Sequence, residues 1–453
     1  MRLLVECTYV FEHPNDNSGI QRVVRNIIKH LGELEGEIDC IPVMMQGGRV
    51  YQVLSLAPLR ARRLPRISQL RVRLEHWRNR YWYLHARVER LWPLRRSHTL
   101  RRMLFVLCRV GSWSLTGPMR VLDQLNDDTP APERAVRLIP QAGDHLILLD
   151  SSWHADFFPL AERLKGQGVG IVSVIYDLIP LTHPQFCDAG LVRVFDRWFE
   201  WIAQTADGFI SISGTISDQV QTEVSRRLGS TRAADRWFDH FQLGSDLDLA
   251  AIGKPLDKRL LSLFDGDKPV YLMVSTIEPR KNHAYLLDAF DLLWAAGSDA
   301  CLCIIGRVGW KCEALIKRIN GHPALNQRLF MFNQLDDAGL EYAYSRARAL
   351  VFPSFVEGFG LPLVEGMQRE LPVMASNIPV FHEIGGDVIA YFDLQQPNSL
   401  ASLVTEYEGT GRFPATTPLT GWFWPNWKAS TEQFVDKIIA HLTSKPTGLG
   451  ERD

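Results

Sequence analysis

A chain of 453 residues is too long for one ordinary core, so two domains are expected. Its apolar fraction of 46% and charged fraction of 22% are those of a folded soluble protein. A formal net charge of −1 removes any global electrostatic case for nucleic acid.

Taken in chain order, predicted strands fall at residues 2–9, 38–44, 145–149, 170–176, 208–212 and 241–243. The first of them opens the chain and is too short, and too interrupted by Glu6, for a signal peptide. A linker at 248–267, carrying Gly, Pro and charge, comes next; Asp246-Leu-Asp248 beside it reads as a loop, not a metal site. The pattern resumes at 270–275, 301–305, 329–332, 349–352, 372–375 and 388–392. Most of these are continuous apolar runs, as befits strands covered on both faces. Helical segments lie between them, so parallel α/β sheets follow. The chain reads as two doubly wound domains, 1–248 and 249–415, with a tail 416–453 whose helix crosses back to the first. The cleft outside the carboxyl ends of the strands is the default ligand site.

One segment breaks the alternation. A basic helical insertion at about 58–110 holds many arginines, and between Arg60 and Arg109 its only carboxylates are Glu75 and Glu89. Leu70, Leu74, Trp77, Tyr81, Leu84, Val88 and Leu91 give one apolar stripe on a helix over 70–92, opposite an arginine face. Three readings stand: an anionic membrane surface, packing on its own domain, or a partner protein. No stretch reaches the roughly 18 apolar residues that cross a bilayer. The seven cysteines contain no C-x-x-C pair and read as reduced thiols, giving a cytoplasmic protein, peripheral on the inner membrane face under the membrane reading.

The densest chemical signal is the string from Val351 to Glu365, Val-Phe-Pro-Ser-Phe-Val-Glu-Gly-Phe-Gly-Leu-Pro-Leu-Val-Glu. A strand ends at Pro353, a loop with Gly358 and Gly360 follows, and a helix begins near Leu361 with Pro362 in its first turn. Glycines let backbone approach a ligand, and a helix start offers free N–H groups to a diphosphate. Glu357 and Glu365 are placed to accept hydrogen bonds from hydroxyls. A second string, Glu278-Pro-Arg-Lys-Asn282, follows the first strand of the second domain. Arg280 and Lys281 there can stabilise a departing nucleoside diphosphate, and Asn282 is the expected cap of the next helix. Ile304-Ile-Gly306-Arg-Val-Gly309 is a glycine turn after a buried strand, read either as nucleotide-facing or as a tight turn. Asn333 is placed beside the base by position. In the first domain, a helix starts near Ile20 after Gly19, Asp150-Ser-Ser-Trp153 follows a strand on the acceptor side, and Tyr176-Asp177 follows another. Asp177 reads as an acceptor-orienting group, a base, or a turn cap. Thr215, with Asp218 three residues on, reads as a helix cap.

These strings resemble the Glu-x7-Glu motif and phosphate-binding segment of the family-four retaining glycosyltransferases of the GT-B fold, in which two Rossmann-like domains face across a cleft. The resemblance implies that Glu357 contacts the transferred sugar and Glu365 the nucleotide ribose. It implies that Gly358, Phe359, Gly360 and Leu361 lie near the diphosphate or sugar, with Gly306 facing the nucleotide and Gly19 letting the donor phosphate approach. It implies a retaining hexosyltransferase with no bound metal or other cofactor, acting from a nucleotide sugar on a glycan or lipid-linked acceptor in surface-polysaccharide synthesis. GDP-mannose is the first donor suggested by that analogy. Many relatives carry His-Asp where this chain has Tyr176-Asp177, which puts the histidine's role in doubt. A non-catalytic carbohydrate-binding scaffold, a nucleotide-sugar epimerase and a glycan phosphorylase are the alternatives.

Overall fold

The computed structural model describes every residue except 15–18, 35–37, 58–73, 75–76, 78–133, 154–156, 246–255, 334 and 445–453. The basic helix expected over 70–92 and the Asp246-Leu-Asp248 loop lie outside the described residues. Two compact units divide the chain. One comprises Met1–Val10, Asp16–Val43 and Pro140–Asp453; the other comprises Phe11–Asn15 and Met44–Ile139.

The larger unit holds two sets of parallel strands. The first set contains β1 (Arg2–Glu6), helix α1 (Gly19–Leu31), β2 (Asp39–Gln46), β3 (His145–Leu148), β4 (Gly170–Ile175), α2 (Ala189–Thr205), β5 (Gly208–Ser211), α3 (Gly214–Leu228) and β6 (Trp237–His240). The strands pair in the order β2-β1-β3-β4-β5-β6, all parallel. β3 reads His-Leu-Ile-Leu and β4 Gly-Ile-Val-Ser-Val-Ile, nearly all buried, as strands flanked by helices on both faces must be.

The second set contains β7 (Val270–Val274), α4 (His283–Ala295), β8 (Cys301–Ile305), β9 (Leu329–Phe332), β10 (Ala349–Phe352), α5 (Leu361–Met367), β11 (Val373–Ser376), α6 (Pro379–Gly385) and β12 (Ala390–Phe392), followed by α7 (Trp427–Thr443). The order β9-β8-β7-β10-β11-β12 is that of a doubly wound sheet whose strand sequence reverses between β7 and β10. Its core is apolar, from Tyr271 and Met273 on β7 to Phe290 on α4 and Val351 on β10.

Three local expectations are corrected. The last strand of the first set runs Trp237–His240, not 241–243; its Trp-Phe-Asp-His sequence is an edge strand whose polar residues hid it. The linker at 248–267 contains a helix, Lys258–Phe264, started by the Asp257 carboxylate accepting from Arg259 N–H. Ser213, not Thr215, caps α3, its Oγ accepting from Ile216 N–H. In the smaller unit, strands Arg49–Val53 and Ala135–Leu138 pair antiparallel; neither was expected, because each is short and alternating and its partner lies beyond the basic segment.

Helix α7 returns to pack on α1 and β6. Trp427 and Phe434 are fully buried, and the Phe434 ring lies 4.9 Å from that of Phe241. A Cβ on Gly244 would come within 2.5 Å of the Trp427 backbone, so only glycine lets the two segments meet. Phe434→Ala is expected to lower stability by about 3–5 kcal/mol, read as a fall in the thermal unfolding midpoint. An unchanged midpoint would show that α7 is not part of the cooperative core.

Candidate functional site

Strand order assembles the site. Because β7 and β10 are neighbours at the point where the second sheet reverses, the loops leaving their carboxyl ends lie side by side. The β7 loop ends in the turn Pro279–Lys281, and Phe355 N–H of the β10 loop donates to the Arg280 carbonyl at 2.8 Å. Arg280, Lys281 and Glu357 are thereby brought into one cluster.

Glu357 is the acceptor at its centre. Arg280 Nη1 donates to Glu357 Oε2 at 2.7 Å, and Lys281 Nζ pairs with Oε1. Arg280 Nε also reaches Glu278 Oε1 at 2.6 Å. Burial alone would push the Glu357 carboxyl up, but the two cations overcome it and hold it at about 2. Burial, reinforced by the Arg280 charge, pushes the Lys281 ammonium down. Glu278 is pushed up by its own burial against the opposing pull of Arg280. The cluster is thus two cations committed to carboxylates in a desolvated crevice, an arrangement stable only while each charge keeps its partner.

Asp177 joins from the first strand set. Its Oδ1 accepts from Ile179 N–H at 3.0 Å, the turn contact that its sequence position suggested. Desolvation raises its carboxyl, opposed by Arg280. Tyr176 is buried, and its hydroxyl donates to the Leu149 carbonyl at 2.7 Å. His183 is bonded to Thr182 Oγ1 at 2.9 Å and does not line the cavity beside Asp177. Gly358 explains how close the strand sets come. A Cβ there would sit 2.1 Å from the Tyr176 carbonyl oxygen, and the Gly358 carbonyl accepts from Ser213 Oγ at 2.9 Å. Glu383, on α6, accepts from Gly214 N–H at 2.6 Å and Thr215 N–H at 2.8 Å at the start of α3.

A cavity of about 630 Å³ opens between these walls. Glu357, Arg280, Lys281, Asp177, Gly19, Glu365, Gly358, Phe359, Gly360 and Leu361 all line it. Glu365, one turn into α5, is 2% exposed; it pairs with Arg22 of α1 and accepts from the Tyr344 hydroxyl at 2.8 Å. Neither partner was legible in the sequence, since Arg22 lies 343 residues away. Gly306 and Asn333 are not on this wall. A Cβ on Gly306 would lie 1.7 Å from the Ser275 carbonyl oxygen, so this glycine serves a close backbone approach. Asn333 is exposed just past β9. Asn282 precedes α4 but does not cap it: with φ of 56° it is left-handed, and its side chain makes no cap hydrogen bond.

The charge geometry sets a pH sign. Because the folded-state Glu357 carboxyl is depressed to about 2 from an ordinary 4.5, its contribution to stability is present above 4.5 and lost as pH falls toward 2. Glu357→Gln strands the buried Lys281 ammonium and leaves Arg280 with Glu278 alone, and is expected to cost about 3–5 kcal/mol at pH 7. Thermal unfolding checks this, and added pyrophosphate should restore part of the loss by replacing the missing anion. An unaltered midpoint would show that the cluster is not electrostatically coupled.

Comparison with known proteins finds similar chains and folds. Residues 258–407 match the family model of glycosyl transferases group 1. The serotype-specific mannosyltransferase WbdA of Escherichia coli is 33% identical over 299 residues, 64% of this chain and 37% of its own. The O-antigen chain mannosyltransferase B of Escherichia coli is 36% identical over 240 residues, 52% of this chain and 60% of its own. The chain therefore spans a little over a third of WbdA and three fifths of the second relative. Among solved structures, sucrose-phosphate synthase from Thermosynechococcus elongatus superposes with a TM-score of 0.55 at 17% identity, covering 98% of this chain and 100% of that one. HepE of Anabaena, in complex with UDP and glucose, superposes with a TM-score of 0.53 at 14% identity over 98% of this chain and 100% of that one. Residues 258–407 thus match the glycosyl transferases group 1 model, and the chain has the GT-B fold.

Proposed function

We propose that the protein is a retaining hexosyltransferase that takes mannose from GDP-mannose and passes it to the end of a glycan or lipid-linked acceptor in surface-polysaccharide assembly. The observation that carries this reading is the meeting of Arg280, Lys281 and Glu357 on the wall of one cavity, at the reversal point of a doubly wound sheet. Relatives named as a serotype-specific mannosyltransferase and an O-antigen chain mannosyltransferase support the choice of sugar and pathway class.

In this reading the donor diphosphate lies against Arg280 and Lys281, whose positive charge is worth most where water is excluded. Its arrival supplies the anion that Glu357 now provides, freeing that carboxylate to accept from the sugar hydroxyls. Glu365 takes the ribose, and the backbone from Gly358 to Leu361 runs beside the diphosphate. The bond from the anomeric carbon to the diphosphate oxygen breaks, and its electron pair goes to the leaving group. The acceptor hydroxyl attacks from the same face, and the departing oxygen takes its proton. Asp177, raised by desolvation, orients that hydroxyl. No metal is required, because two side-chain cations meet the leaving group. The membrane role of the basic helix rests on residues outside those described. Among the described residues no helix is long and apolar enough to cross a membrane.

NMR of the protein with a panel of nucleotide sugars tests the reading. GDP-mannose alone should be consumed, releasing GDP slowly without acceptor and faster with one. Arg280→Ala should lower turnover about 100- to 1,000-fold while the fold persists. Full turnover in that variant would remove the leaving-group role from Arg280, and no consumption of any donor would remove the transferase reading.

A further inference from the structure

Three side chains of the second strand set close on one short segment of the first. The segment is the turn Pro184–Phe186 with Cys187 behind it. Trp310 Nε1 donates to the Phe186 carbonyl at 3.0 Å, and Lys311 Nζ donates to the Cys187 carbonyl at 2.6 Å. The Phe355 ring stacks on that of Phe186, with centroids 5.4 Å apart and planes 19° from parallel. His183 adds a third ring, 6.2 Å from that of Phe186. Both hydrogen-bond acceptors are backbone carbonyls, so no motif in the sequence marks the contact.

The loops that present these side chains are braced. Ile277 N–H donates to the Arg307 carbonyl at 2.8 Å, and Gly309 N–H to the Ile277 carbonyl at 2.9 Å, which fastens the turn after β8 to the loop after β7. A Cβ on Gly309 would come within 2.8 Å of the Ile277 carbonyl oxygen, so this glycine permits the fastening. Lys311 then adopts a left-handed φ of 53°, a strained backbone for a residue with a side chain, held by the contacts around it. Phe355 stands on the β10 loop, where its own N–H holds the Arg280 carbonyl. The gripped turn has less support: it is one turn of 3-10 helix, and none of its three residues is buried.

Exposure separates this contact from the other ties between the strand sets. Glu365, which meets Arg22, is 2% exposed, whereas Trp310 is 47% and Phe355 41% exposed. Trp310 also lines the cavity that holds Arg280, Lys281 and Glu357. A ring that lines a cavity and is half exposed stands at its mouth. Few and shallow contacts are the first to open in a folded protein, and loops held by such contacts often set how fast a product departs.

We infer that Trp310, Lys311 and Phe355 form a clasp on the Pro184–Cys187 segment, and that opening of the clasp governs the rate at which a nucleoside diphosphate leaves the cavity. The inference rests on the transferase reading and adds to it the step that controls product release. After transfer, the diphosphate stays against Arg280 and Lys281 while the clasp is shut. Opening breaks two hydrogen bonds to backbone carbonyls and one ring stack. None of these contacts uses a side chain of the Arg280, Lys281 and Glu357 cluster, so the clasp can be weakened without removing the diphosphate's charge partners.

Phosphorus NMR exchange measurements with GDP and with UDP test this. Phe355→Ala removes the stack at a residue outside the cavity lining, and Trp310→Phe keeps a ring but loses the N–H. Each should speed release of the nucleotide that binds by about 2- to 10-fold. Phe355→Tyr, which keeps the stack, should release it at the wild-type rate. Unchanged release in both Phe355→Ala and Trp310→Phe, or equal acceleration by Phe355→Tyr and Phe355→Ala, would overturn the clasp while the transferase reading stands. A wild type that binds neither nucleotide would overturn the clasp, and if it also consumes no donor the transferase reading falls with it.

Discussion

The ion cluster of Arg280, Lys281 and Glu357 is the constraint on which the rest of the site depends. Two cations in a crevice of low polarizability are tolerable only with an anion between them. Here that anion is a carboxylate carried by the loop that bears Gly358 and Gly360. Under the proposed function, the same electrostatics that stabilise the protein without ligand would prepare it for a diphosphate, which offers more negative charge in the same place. On that reading, binding and folding draw on one set of contacts, and the site is preorganised for a donor.

Backbone topology makes the cluster possible. The reversal of strand order between β7 and β10 sets two loops side by side. Gly358 then lets the β10 loop press against the Tyr176 carbonyl of the first strand set. Arg22 reaching Glu365 and Glu383 reaching the start of α3 tie the two strand sets together at either side of the cavity. Each tie joins an ionised or polar side chain to a partner far away in sequence, so closure is specified by tertiary contacts, not by a linker.

Much of this was legible in the sequence, and the reason is physical. Parallel strands buried on both faces leave continuous apolar runs, so β3, β4, β7 and β8 announce themselves. The loops that line the cavity follow those runs directly, which is why Glu278 to Lys281 and Glu357 to Glu365 stand out. Edge strands leave a weaker trace: Trp237–His240 carries Asp239 and His240 and was displaced by a few residues. Pairings between distant parts of the chain leave none, so Arg22 with Glu365 and Trp153 with Trp198 required the fold. Asn282 shows the limit of local rules, since a residue type suited to capping adopts a left-handed turn and caps nothing.

The most direct test of the central claim is calorimetry of GDP against guanosine, on the wild type and on Lys281→Met. If the cluster is a diphosphate site, charge-assisted contacts should make GDP bind at least about 100-fold tighter than guanosine, and the variant should lose most of that difference. Equal affinities for GDP and guanosine in the wild type, or a difference untouched by Lys281→Met, would contradict the account.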